Sequence, residues 1–164
     1  MARIVLTDAS PLIGLARVDG LSWLAVLFGQ VWMPQEVRNE VLAGPESADH
    51  GVILAAEEAA ILQQWPSPSP LQPDLPELDE GESACIRLGL AHAGGALLLM
   101  DERAGRAVAQ EHGLRVTGTA AVIGMAKLKG IIPSAHAVFA RLHASDFRIS
   151  TAVIETILAR VGEK

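Results

Sequence analysis

Hydrophobic positions along the chain fall into short runs that alternate with longer amphipathic stretches. Ile4-Val5-Leu6 is an apolar, β-like run, and Ser10-Pro11 directly after it predicts an N-cap followed by a first helical residue. The helical pattern continues through Leu12, Leu15 and Ala16, breaks near Gly20, and resumes over Leu21 to Phe28 until Gly29 ends it. Val31-Trp32-Met33 is a second strand candidate. Pro34 then starts a helix whose apolar positions Val37, Val41 and Leu42 share one face, and Gly44-Pro45 stops it. An Ala/Glu-rich helix from about Ala48 to Leu62 precedes a weak strand at Gln63-Gln64-Trp65.

Residues 66–76 hold five of the nine prolines, too many for a helix or a central strand, so a long surface connection is expected there. After it, Asp79 opens a helix running to about Ala93, Gly94-Gly95 closes it, and Ala96 to Met100 is the clearest buried strand. Arg103 to His112 reads as a helix, Leu114-Arg115-Val116 as a short strand, and Thr119 to Lys129 as a helix stopped by Gly130. Two further helices, about Ser134 to His143 and Ser150 to Val161, complete the chain. Strands alternating with helices predict a parallel sheet with helices on both faces, an α/β fold in which ligands sit beyond the carboxyl ends of the strands.

Composition narrows the setting. Half of the 164 residues are apolar, enough for one compact core, and the single cysteine, Cys85, excludes an intrachain disulfide. No export signal opens the chain and no apolar stretch is long enough to span a bilayer, so a soluble, cytoplasmic protein without a membrane partner is expected. The net charge of -6 is unevenly spread: residues 1–82 carry 3 Lys/Arg against 13 Asp/Glu, and residues 83–164 carry 10 against 6. An acidic whole argues against non-specific binding to nucleic acid, but a local patch from Arg103, Arg106, Arg115, Lys127 and Lys129 is compatible with it.

Acids carry the candidate chemistry. Asp8 lies just past the first strand and Asp101 just past the Leu97-Met100 strand, so both face one crevice if those strands are neighbours. Glu40 lies on the helix begun by Pro34, and Glu82 in the first turn of the helix begun at Asp79. Four carboxylates brought together repel unless a cation neutralises them, and all-oxygen ligation suits Mg²⁺ or Mn²⁺. Each acid also has a structural reading. Asp8 and Asp101 fit helix caps or turns, Glu82 three residues after Asp79 fits a capping box, and Glu40 competes with Glu36 on nearly the same helix face. Ser10 and Thr119 fit N-caps better than hydroxyl donors to a metal-ligating carboxylate or a phosphate, Arg103 and Arg106 fit either phosphate clamps or exposed surface, and Cys85 fits a small buried hydrophobe. No Gly-rich loop follows a strand, which weighs against a nucleotide-binding or flavodoxin-like domain.

Five segments in order resemble one family. Val5-Leu6-Thr7-Asp8-Ala9-Ser10-Pro11-Leu12-Ile13 is similar to the opening of PIN-domain-like proteins, in the branch related to toxin nucleases of toxin–antitoxin pairs. Pro34 followed by Glu40, Gly81-Glu82-Ser83-Ala84-Cys85-Ile86, Leu98-Leu99-Met100-Asp101-Glu102-Arg103 with Arg106, and Gly118-Thr119 with Ala126-Lys127, Gly130 and Ile132-Pro133 resemble its later elements. The resemblance spans about residues 3–133, with 134–164 expected as helices packed on the same domain. It implies a three-layer α/β/α fold with four or five parallel strands and a Mg²⁺- or Mn²⁺-dependent site for RNA cleavage. It carries Asp8, Glu40, Glu82 and Asp101 over as metal-binding or catalytic acids; Ser10, Arg103, Arg106 and Thr119 are candidate substrate contacts by their own chemistry. It further implies a small antitoxin protein as partner. Glu82 and Asp101-Glu102 depart from the Asp-bearing helix start and Asp-x-Asp strand end of many members, so a binding or regulatory module on the same fold is the alternative. The apolar stretch Leu21 to Phe28, with Trp23, fits either a homodimer interface or the core.

Overall fold

The structure is a computed structural model that describes residues 4–92 and 95–163. In chain order its elements are β1 (Ile4–Thr7), α1 (Ala9–Arg17), α2 (Leu21–Phe28), β2 (Val31–Met33), α3 (Gln35–Val41), α4 (Ala48–Glu58) and β3 (Leu62–Gln64). Then follow α5 (Glu80–Ala91), β4 (Ala96–Leu99), α6 (Arg103–Glu111), β5 (Arg115–Thr117), α7 (Thr119–Leu128), α8 (Ala135–Ala144) and α9 (Thr151–Arg160). The strands form one parallel sheet in the order β3-β2-β1-β4-β5.

That order follows from the hydrophobic pattern. Both faces of a parallel sheet are covered, so β1 and β4 need apolar side chains at consecutive positions, and Val5, Leu6 and Leu97 to Leu99 are all buried. From β1 the chain steps through β2 to β3, then crosses back over β1 to β4 and β5. Right-handed crossovers in opposite directions place α5 and α6 on one face and α1, α2 and α4 on the other. The direction reverses between β1 and β4, the topological switch point where such sheets bind ligands. Thr7 pairs with Leu99, and the Asp8 amide donates to the Leu99 carbonyl at 2.9 Å. The residues that follow β1 and β4 therefore emerge side by side.

Several expected boundaries move. α1 begins at Ala9, so Asp8 and not Ser10 holds the N-cap position. α4 ends at Glu58 because Leu62, 1% exposed, is needed opposite Val31 in the sheet, which shifts β3 one residue earlier than the pattern indicated. The expected helix end at Ala93 and Gly94 lies outside the described residues; α5 is described to Ala91. β5 starts at Arg115, since the Leu114 amide still donates to the Ala109 carbonyl of α6. In α2, Leu21, Trp23 and Leu24 are buried in the chain's own core, while Val26 is 62% exposed.

The last two helices are tied down by specific contacts. Ile157 of α9 packs against Gly124 of α7, where an added Cβ would stand 2.9 Å from its Cγ2. The ring of Phe147 presses on Gly14 of α1. Glu163 accepts hydrogen bonds from the Ala135 and His136 amides and the Ser134 hydroxyl, covering the N-terminus of α8. Among the described residues no single helix is long and apolar enough to cross a membrane.

Candidate metal centre

Asp8 occupies the first position beyond β1, with extended backbone angles, and its side chain makes no cap hydrogen bond. It is 4% exposed, and its Oδ1 has no hydrogen-bond partner. A buried carboxylate oxygen without a donor is costly, and such atoms in native proteins call for an explanation. The neighbours are acids. Ligand oxygens of Asp8, Glu40 and Asp79 all lie within 4.8 Å of one another. Oxygens around Mg²⁺ sit at about 2.0–2.1 Å, so those on opposite sides are roughly 4.2 Å apart, and small side-chain adjustments close the set around one ion.

Helix packing makes this approach possible. α3 lies against α5, bringing Glu40 near the α5 N-terminus. Gly81 of α5 faces α3, and an added Cβ there would sit 3.0 Å from Asp8 Oδ1 and 3.1 Å from Glu40 Oε1. Glycine is the residue that leaves both carboxylates room. Electrostatics register the crowding. Burial raises the Asp8 pKa from 3.8 to about 7, opposed by the Ala9 amide and reinforced by Asp79, Glu82 and Glu40. Glu40 is also shifted upward, by partial desolvation first and then by Asp79 and Glu82.

The other expected acids take different places. Glu82, itself buried, forms the capping box. Its amide donates to Asp79 Oδ1 at 2.8 Å, and its Oε1 accepts from the Asp79 amide at 3.2 Å. Burial raises its pKa, with the Asp79 amide opposing and Asp79 and Glu102 adding. It flanks the triad and is not one of the three clustered ligands. Asp101 is held by hydroxyls. Oδ2 accepts from Ser10 at 2.9 Å and from Thr119 Oγ1 at 2.7 Å, and Oδ1 accepts from the Thr119 amide at 2.8 Å. An added Cβ on Gly118 would stand 2.7 Å from Asp101 Oδ1, so glycine permits this approach too.

Ser10 and Thr119 are thus not the N-caps that their types suggested. α7 is capped at Gly118, and both hydroxyls bind Asp101 instead. Glu36, the competitor of Glu40, is engaged by the Ser69 hydroxyl at 2.9 Å. Cys85 is fully buried, and its thiol pKa is pushed well up by burial first and then by Asp8 and the other acids, so it stays protonated. Trp32 and Trp65 pack edge to face at 5.1 Å, and Trp65 packs likewise on His92. The expected cationic patch does not assemble as a unit. Lys127 donates to the Pro133 carbonyl and faces Glu163 at 3.7 Å, and Arg115 lines a separate hollow with Leu114 and Met125. Arg103 and Arg106 instead share a groove with Arg148 and with Arg160, whose helix the sequence marked only as packing. The other omission is Asp79. Its place at a helix start signalled a cap, and only the fold shows that the same carboxylate also faces Asp8 and Glu40.

At the switch point of this all-parallel α/β sheet stands a carboxylate cluster, Asp8 buried and Glu40 and Asp79 exposed, that could hold a divalent cation. The chain belongs to the PIN-domain family, whose model matches residues 4–163. PIN domains are generally nucleases that use divalent metals. Comparison with curated proteins gives no match, nor does comparison with solved structures.

Proposed function

We propose that the chain is a Mg²⁺- or Mn²⁺-dependent endoribonuclease. The observation that carries this reading is the unpartnered, buried Oδ1 of Asp8 beside Glu40 and Asp79. All three donors are carboxylates, a hard set that suits these ions, and a cation beside them would offset the desolvation and repulsion that raise the pKa values of Asp8 and Glu40. Asp8, Glu40 and Asp79 would hold it. Bound there, a divalent ion polarises a phosphoryl oxygen and makes water a stronger nucleophile at neutral pH.

The chain's own groups do the rest. The backbone of Asp8 is held at the end of β4 by the hydrogen bond from its amide to the Leu99 carbonyl. Glu82, held beside Asp79 by the capping box, would take a proton from an attacking water or return one to the departing oxygen. Asp101, clamped by Ser10 and Thr119, sets the rim where α1, α7 and β4 meet. The Arg106 guanidinium is oriented by its bond to the Met100 carbonyl at 2.9 Å, and with Arg103 it faces an approaching phosphate.

The family resemblance extends this reading to the cytoplasmic toxin of a two-component pair, inhibited by a small antitoxin protein. The uneven charge supports it, since an acidic N-terminal half suits a basic partner while the arginines remain for RNA. The test is cleavage of single-stranded RNA with and without Mn²⁺ by wild type and by Asp8→Asn. Cleavage should need the ion and vanish in the variant while its fold is retained. Equal cleavage by both proteins excludes Asp8 from the chemistry. Binding of Mn²⁺ without cleavage would leave a regulatory module on the same fold.

A further inference from the structure

Beyond the acids, a groove of ≈ 610 Å³ runs between α6 and the segment 147–160. Four arginines line it, Arg103 and Arg106 from α6 and Arg148 and Arg160 from the C-terminal segment, against two carboxylates, Asp101 and Glu102. That excess of cations stands out in a chain of net charge -6. Asp101 is already occupied by Ser10 and Thr119. Among the described residues, Arg103 and Arg160 have no carboxylate within ion-pair distance, and Arg148 faces only exposed Asp146 at 3.9 Å. Such guanidinium groups are free to bind phosphate oxygens in pairs of hydrogen bonds.

The groove lies beside the acidic centre: Ser10, two residues past Asp8, lines it, and so does Asp101, which follows β4, the strand paired with β1. Its floor is partly apolar, with Phe147, Ile149 and Val153, a surface that accepts sugars and bases but offers nothing to anchor a charged carboxylate chain by itself. We propose that this groove seats the phosphates of single-stranded RNA leading to the acidic centre, and that Arg148 and Arg160 are substrate-positioning residues contributed by the C-terminal segment. The proposal rests on the nuclease reading for the identity of the strand; the seat itself rests on the arginines.

Fluorescence anisotropy with a labelled single-stranded RNA, in EDTA so that binding is read without cleavage, tests it on the full chain. Arg148→Ala/Arg160→Ala should bind roughly tenfold more weakly, and its dependence of log Kd on log salt should be shallower by about 1.4, since each single-strand phosphate contact adds about 0.7. Arg141→Ala, on the exposed face of α8, should bind like wild type. Equal binding of DNA of the same sequence would support a phosphate seat that does not read the sugar. A double variant with wild-type affinity and salt slope overturns the proposal, whether or not Mn²⁺-dependent cleavage is found. So does a wild type that binds poly-glutamate but not RNA, which would assign the groove to an acidic protein segment. Groove-dependent RNA binding without cleavage in Mn²⁺ keeps the seat and removes the nuclease reading.

Discussion

Asp79 and Glu82 exchange two hydrogen bonds across the first turn of α5, and the Asp79 carboxylate that caps the helix also stands within 4.8 Å of Asp8 and Glu40. One side chain thus terminates a helix and joins a carboxylate cluster that could hold a cation. The two duties can be separated. Asn caps a helix about as well as Asp, so Asp79→Asn should change stability by no more than a few tenths of a kcal/mol. Loss of one of three ligand charges should weaken Mn²⁺ binding roughly tenfold or more. Chemical denaturation and calorimetric titration of the same variant read the two effects.

Asp8 makes the ion-free protein pH-sensitive. Its pKa is 3.8 unperturbed and about 7 in the fold, so between these values the folded state holds the proton more tightly. Its favourable contribution is complete below pH ~4 and is lost as pH rises through about 7. In EDTA, wild-type Tm should fall over this interval more steeply than that of Asp8→Asn, which has no carboxylate to ionise. Parallel curves for the two proteins would show that Asp8 is not desolvated as described.

The same proton competes with the cation. Below pH 7 each unit of acidification should lower Mn²⁺ affinity about tenfold, with a plateau above it, because binding must displace one proton from Asp8. Titrations at pH 5.5, 6.5 and 7.5 measure that slope directly.

The parts of the site that were legible in the sequence are those set by strand ends. Asp8 and Asp101 each follow an apolar run, and a parallel sheet forces such residues to one edge. Glu40 and Glu82 were marked by helix starts and by family likeness. Other features depend on distances that spacing does not encode. Asp79 satisfied a local reading as a cap, which concealed its second contact. For Ser10 and Thr119 the less favoured of two readings, a hydroxyl bond to a carboxylate, is the one the fold adopts, because helix starts shift by one or two residues and a hydroxyl inside the helix is released for a partner elsewhere. Arg148 and Arg160 lie about 50 residues beyond the acids, and only the packing of α9 on α7 brings them beside Arg103.

Thr119 ties α7 to the end of β4 through Asp101. Thr119→Val keeps the shape and the amide bond but removes the 2.7 Å hydroxyl contact. It should cost about 1.5–3 kcal/mol, the range for a hydrogen bond to a charged group, and Thr119→Ser should recover most of it. Urea denaturation of both variants checks the difference.

Gly81 tests the crowding around the triad. Alanine favours a helix over glycine by up to about 1 kcal/mol, so Gly81→Ala should not unfold α5. Its methyl group would meet Asp8 Oδ1 at 3.0 Å and Glu40 Oε1 at 3.1 Å and push the carboxylates apart. Mn²⁺ affinity should drop several-fold while Tm in EDTA stays level or rises.

The most direct measurement is an anomalous difference map from crystals of the chain soaked in Mn²⁺. The expected result is one peak with carboxylate oxygens of Asp8, Glu40 and Asp79 each within about 2.5 Å. A Mn²⁺ peak elsewhere, or none at concentrations that saturate ordinary carboxylate sites, would contradict the triad as the centre of this protein's chemistry.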